Sequence, residues 1–534
     1  MTKKILSLFL ALIMLGSVVL LAACDSSWED SYDYDAAKDD DEDEDEDEDE
    51  TSDLGLDGFM GTNTPDTGWE AIDTPADSEE TSVPVETSYD AKPWFDPVSQ
   101  IYDFEGHEFT FLNSNPVYFM YIYLDPDMTG DVLDDCCFER NLLAEDKFNI
   151  TISEETQPYT DLAAYAKTMI YADEDAYDAM YIPASMLTPL ISENLFYDLL
   201  EIEELNVDKI WWHQPGIQRN IIEGRLYYAT SDLNLMAFES AWGIYFNEEM
   251  MYNLGLDEPF DMVFDGKWTF DKMKEYCSAA ACLNGDSTYV FDVNGKARYG
   301  LVNFGNAAYM AYGMGAESVT RDTNERYHFT ADTDRHFMNV WNELIDFYGP
   351  DNGLQLTASA IELAADGYFT VFESNRSLFL HAELKGVTVL REWEGIFAVL
   401  PQPKFDAKQE AYNSNILSSC LSFCIPVTNG NTERTGIIVD YLTYESYRSL
   451  LPRYFDIHVC LKSLWRQESI DVLALIRGTL GCEAAVPYGW AGDLNSKLSE
   501  LAKTNSKALD STISAYKDRV ISNINNTYAE YPTK

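Results

Sequence analysis

The chain has 534 residues, of which 46% are hydrophobic and 13% aromatic, enough for more than one buried core. Its 93 acidic residues against 35 basic ones give a formal net charge of −58. That balance excludes the positive footprint a nucleic-acid partner demands, and it sets the chain against an anionic membrane surface unless a lipid holds it there.

Lys3 and Lys4 precede an uncharged apolar run from Ile5 to Leu21, the layout of a secretory signal rather than of mature structure. An uncleaved anchor is the alternative, because the run approaches the roughly 20 residues a bilayer requires. It closes on Leu21-Ala22-Ala23-Cys24, which resembles the lipobox of bacterial lipoproteins. The resemblance implies that residues 1–23 are removed and that Cys24 is acylated. The protein would then be lipid-anchored, through palmitate or a similar chain, on the extracytoplasmic face of the cell membrane, a Gram-positive surface being the favoured setting. Asp25 to Asp96 holds 28 acidic residues and two lysines, including twelve consecutive acids from Asp39 to Glu50. Such a segment buries too little apolar surface to offset its ordering entropy, so 24–96 is expected to be a disordered acidic tether, a solvated spacer rather than a cation site.

The body runs from 97 to 534. Eight cysteines remain after Cys24; an even number in an exported chain permits disulfides, and buried thiols are an equal alternative. Cys277 and Cys282, like Cys420 and Cys424, lack companion histidines at zinc spacing, so no metal or other cofactor is expected. The run from His107 to Asn115 reads as a first strand. Val132, Cys136, Glu139 and Leu143 recur at helical spacing, and Asn149 to Glu154 reads as a strand. A helix over Tyr159–Tyr171 and a strand within 177–185 repeat the pattern, which predicts an α/β body with an open, mostly parallel sheet. Ligands of such sheets sit beyond the carboxyl ends of the strands, so the loops after Asn113 and Tyr181 are the first places to look.

Further on, Asn247 and Thr269 stand where helix N-caps belong. The stretch LNGDSTYVFDVNGKARYG (283–300) breaks the acidic alternation of a calcium loop at Thr288 and Val290, and its Asn294-Gly295 reads as a hairpin turn. No G-x-S-x-G, H-E-x-x-H or phosphate-binding G-x-x-x-x-G-K-[ST] occurs, leaving serine hydrolase, zincin and P-loop chemistry without a motif.

Four segments carry a resemblance: EGRLYYATSD (223–232), WGIYFNEEMMYNLGLDEPFDMVFDGKWTFDKMKEYC (242–277), EGIFAVLPQPKFDAKQEAY (394–412) and CIPVTNGNTERTGIIVDYLTYES (424–446). Together they are similar to the family 1, maltose-binding-like extracellular solute-binding proteins of ABC transporters, over about 105–490. The resemblance implies a two-lobed periplasmic-binding-protein-like (type II) α/β fold with a hinge cleft. Lobe one would be about 97–236 and 395–448, and lobe two about 237–394 and 449–534, with crossings near 232–241, 391–397 and 447–453. It implies a monomeric receptor, not an enzyme, that delivers a carbohydrate to the transmembrane subunits of an ABC permease. Alternatives are a surface glycan-binding or glycoside-processing lipoprotein, or a binder of peptides or other polar solutes. Its candidate ligand residues are Ser185 after a lobe-one strand; Asp232, Asn234, Glu239 and Trp242 at the first crossing; His381 and Glu383 after the strand Ser377–Leu380; and Tyr488 and Trp490 as a late stacking pair. Trp211 and Trp212 are assigned to packing.

Replacing the anchor residue tests the first of these expectations: Cys24→Ser should release the protein into the medium or leave it unprocessed. Mass spectrometry of the mature terminus reads the outcome.

Overall fold

The computed structural model describes residues 101–115, 122, 132–172, 175–349, 351–358, 361, 367–390, 393–458 and 467–531. Residues 1–100, which include the expected signal segment, Cys24 and the acidic segment, lie outside them. Among the described residues no helix is long and apolar enough to cross a membrane, and no cluster of three or more His, Cys, Asp or Glu can hold a metal.

The first sheet is built by β1 (His107–Ser114), α1 (Val132–Phe148), β2 (Ile150–Gln157), α2 (Leu162–Tyr171), β3 (Ala179–Pro183) and α3 (Ala184–Ser192). β1 lies between β2 and β3, parallel to both, and β9 (Leu421–Cys424) closes the β3 edge antiparallel. β1 and β3 are buried along most of their length while β2 is half exposed, as two inner strands and an edge strand should be. Asn149, at a φ of 50°, takes the left-handed conformation that ends α1 and turns the chain into β2. The helix presents a different face from the one expected: Val132 and Leu143 are 50% and 48% exposed, whereas Leu133, Cys137, Arg140, Ala144 and Phe148 are buried. Both stripes have helical spacing, and the buried one contains an arginine, which a count of hydrophobic residues passes over.

The second sheet comprises β4 (Trp242–Asn247), β5 (Tyr299–Asn303), β6 (Gln355–Thr357), β7 (Ser377–Glu383) and β8 (Phe397–Pro401), in the order β8-β4-β7-β5-β6. β5 is parallel to β6 and β7, and β4 is antiparallel to β7 and β8. Thr269 caps α4 (Phe270–Ala280) by accepting the Lys272 amide at 3.4 Å, and Asn247 caps the next short helix by accepting that of Met250 at 2.8 Å. α4 rides directly on β5: a Cβ on Gly300 would fall 2.3 Å from Cβ of Cys277, so only glycine admits this approach. The loop at 283–297 is closed by one antiparallel bridge, Cys282 to Arg298, and Asn294-Gly295 ends a turn begun by Asp292 instead of joining two strands. Asp286 accepts the amides of Lys296 and Ala297 at 2.6 and 2.7 Å.

The chain stays with the first sheet through Ala229, which bridges to Phe423, and joins the second at Trp242. The other two crossings differ from expectation. Phe397–Pro401, assigned to lobe one, pairs with β4 in the second sheet, so the return to the first sheet falls between 402 and 420. The third crossing lies beyond α7 (Leu451–His458), which still packs on α1; α8 (Gln467–Gly478) packs on β8. An apolar strand announces itself in sequence, but its partner is set by distant residues.

The first crossing is pinned by a carboxylate with no solvent exposure. Asp232 accepts from Arg477 Nε at 3.0 and 3.1 Å and from Arg477 Nη2, and pairs with Nε2 of His213 at 3.0 Å. Burial pushes this carboxyl up, and the Arg477 charge with the His213 hydrogen bond outweighs it, leaving the pKa below the ordinary value. Burial holds His213 down against the pull of Asp232. A second buried carboxylate, Asp440, accepts the indole N–H groups of Trp211 at 2.8 Å and Trp212 at 3.0 Å, and Asn206 Nδ2 at 2.7 Å. Asp232→Asn should cost on the order of 3 kcal/mol at pH 7, because Arg477, largely buried, loses the carboxylate it grips through Nε and Nη2. Since the folded pKa is depressed, the wild-type contribution is present above about pH 4 and lost as the pH falls through the folded value. Urea unfolding of both proteins should therefore show the gap narrowing below about pH 4.

Candidate functional site

The carboxyl ends of the parallel strands gather the polar and aromatic side chains expected of a binding edge. On the first sheet, the penultimate residue of β1 is buried Asn113, whose Nδ2 donates to Glu154 of β2 at 2.6 Å. β3 runs into α3, and Ser185 in the first turn of that helix is exposed, its amide donating to the Ser418 carbonyl at 3.1 Å. Nearby, the Tyr159 hydroxyl donates to the Ser419 carbonyl at 2.9 Å.

The second sheet supplies the richer edge. In register, Trp242 opposes Glu383, Ile244 opposes His381, and His381 lies beside Asn303. Directly opposed residues share a face, so Trp242, Glu383, His381 and Asn303 stand on one side of the sheet at one end. The Trp242 ring lies 4.5 Å from that of Tyr309, 4.9 Å from His381 and 6.2 Å from Phe304. Trp242, His381 and Asn303 are buried, Tyr309 and Glu383 half-buried, and Phe304 is 37% exposed. Tyr309 belongs to the short helix α5 (Ala307–Gly313), and Nε2 of Gln402 donates both to its carbonyl and to Nε2 of His381, each at 2.9 Å. Accepting at Nε2 leaves the imidazole proton on Nδ1. Burial lowers the His381 pKa to about 3, so the ring is neutral throughout the physiological range. Among the described residues the Trp242 indole N–H has no acceptor. This edge offers flat apolar ring surface beside fixed, uncharged hydrogen-bonding groups, a combination suited to a ligand that is apolar on one face and hydroxylated around its rim.

Of the expected residues, Trp242, His381 and Glu383 come together here and Ser185 is exposed at the first sheet's edge. The others are committed elsewhere. Both Asp232 oxygens are taken by Arg477 and His213. Asn234 Oδ1 accepts the Met236 amide at 2.9 Å, its buried Nδ2 having no partner among the described residues, and Glu239 accepts the Tyr454 hydroxyl at 2.9 Å. Tyr488 and Trp490 do stack, at 4.8 Å and 15°, but on each other: Trp490 has no exposure, donates to Thr527 Oγ1 at 2.8 Å and packs on Tyr327. Trp490 thereby holds α9 (Leu509–Glu530), whose Asn523 also donates to its carbonyl at 3.0 Å. Phe304, Tyr309, Asn303 and Gln402 were missed. Phe304 directly follows the strand Tyr299–Asn303, so the rule that looks beyond strand ends would have found it had that strand been recognised.

No family model matches the chain, and no curated protein matches it by sequence. Solved structures do match by shape. A cyclo/maltodextrin-binding protein complexed with maltotetraose superposes with a TM-score of 0.54 at 13% identity, covering 78% of this chain and 98% of its own. An extracellular solute-binding protein from Staphylococcus aureus in complex with maltose gives 0.54 at 10%, over 79% and 99%. The cyclic alpha-maltosyl-1,6-maltose binding protein from Arthrobacter globiformis gives 0.53 at 11%, over 79% and 100%. From the first strand onward, this chain has the two-lobed α/β fold of the maltodextrin-binding solute-binding proteins.

Proposed function

We propose that the protein is an extracytoplasmic receptor that closes its lobes on a carbohydrate and presents it to an ABC permease. It would be held at the membrane by acylated Cys24 and the acidic tether. The observation that carries this reading is the ring platform of Trp242, Tyr309 and Phe304 beside neutral His381, in a fold shared with proteins solved in complex with maltose and maltotetraose. A ligand that touches both lobes binds the closed arrangement better and shifts the population towards it. Nothing in that cycle requires a bond to break.

A thermal-shift screen over maltose, linear maltodextrins and cyclic oligosaccharides tests the proposal. A true ligand at about 100 times its dissociation constant should add roughly 2.7 kcal/mol of stability. Phe304→Ala should weaken binding about tenfold, equivalent to about 1.4 kcal/mol of lost ring contact, with little change in the unliganded unfolding midpoint. Hydrolysis of the sugar, or no response to any of them, would overturn the reading.

A further inference from the structure

Arg140 is 1% exposed, yet the groups that accept from its guanidinium are uncharged. Nε donates to Asn141 Oδ1 at 3.0 Å. Nη1 donates to the Leu233 carbonyl at 3.5 Å and to Ser446 Oγ at 3.1 Å. Nη2 donates to the Ile122 carbonyl at 2.6 Å, to Asn141 Oδ1 at 2.9 Å and to Cys137 Sγ at 3.0 Å. Asn141 Nδ2 doubles the hold on Ile122 at 2.7 Å. Burying a cation in this way is costly unless its donors are met in fixed positions, and only the planar guanidinium fork reaches several acceptors at once. The segments it joins are far apart in sequence. Ile122 follows β1, Leu233 opens the first crossing, and Ser446 stands on the helical run that leads to the third.

That run has a defect at the same place. α6 (Thr432–Glu445) does not pass smoothly into α7; between them Ser446–Leu450 forms a π-turn in which the Leu451 amide reaches back to the Ser446 carbonyl. The Ser446 and Ser449 hydroxyls donate to the carbonyls of Leu442 and Glu445 at 2.8 and 2.7 Å. π-Turns inside helices mark functional sites and bends, because the local ladder is interrupted there. One turn later Tyr454 bonds Glu239 at 2.9 Å, and Phe455 packs on Phe238 at 5.2 Å, both at the far end of the first crossing. The first crossing is thus clasped to the helix 446–455 at both ends, by Arg140 at one and by Tyr454 and Phe455 at the other.

We infer that Arg140 is a positioning residue for lobe closure: with the π-turn 446–450 it forms the pivot that couples the first crossing to the helix leading to the third and sets the resting angle between the lobes. This rests on the closing-receptor reading, and the test separates the two. Hydrogen exchange of the unliganded full-length protein, read by mass spectrometry, compares the wild type with Arg140→Met and Ser446→Ala. Arg140→Met should speed exchange at 233–241 and 446–455 together by at least about tenfold, the equivalent of one charge-assisted hydrogen bond. The amides of β1, β3, β4 and β7 should keep their rates. Ser446→Ala removes one acceptor of the guanidinium, together with the hydroxyl's bond to the Leu442 carbonyl, and should act in the same direction, more weakly, should Arg140→Met fail to fold. Unchanged exchange at 233–241 or at 446–455, or a rise spread evenly through β1 and β3, would overturn the pivot. Failure of maltotetraose to bind the wild type would count against the proposed ligand and leave this readout untouched.

Discussion

The placement of Asp232 is the constraint on which the rest depends. Its carboxylate has no solvent exposure at the point where the chain leaves the first sheet, and it is met by Arg477 from the last turn of α8 and by His213 from the segment before the crossing. A charge so deep is tolerable only when its partners are in place. One ion pair therefore ties the first crossing to a helix that packs on the second sheet, and the residues that follow, through to Trp242, inherit their position from it. The candidate edge is downstream of that tie. Trp242 is the first residue of β4, and its ring sets the spacing of Tyr309, Phe304 and His381.

What was legible in the sequence was local or repeated. Thr269 and Asn247 were recognisable as caps because a cap is decided within three residues. The β-α-β opening was recognisable because strand and helix periods differ. The face of α1 was misread by one position, since the buried stripe is completed by Arg140, a residue whose burial is arranged by carbonyls more than ninety positions away in the case of Leu233. The sheet joined by Phe397–Pro401 could not be read either: an apolar strand suits either sheet, and the choice was made by its register with β4.

The candidate site divides in the same way. Trp242, chosen by resemblance at the first crossing, and His381 and Glu383, chosen after a strand, come together at one end of the second sheet. Asp232, Glu239 and Trp490 were chosen for their chemistry at plausible places, and each is consumed by a structural partner: Arg477, Tyr454 and Thr527 respectively. A side chain able to hold a sugar is equally able to hold the protein together, and the difference is whether a neighbour has already claimed it.

His381 bears on how such a receptor would let go. Because its ring stays neutral until the medium is far more acidic than cells ordinarily meet, this residue supplies no coupling between proton uptake and ligand release. Mild acidification would leave this ring uncharged. Any dependence of ligand release on pH would have to come from other groups of the molecule.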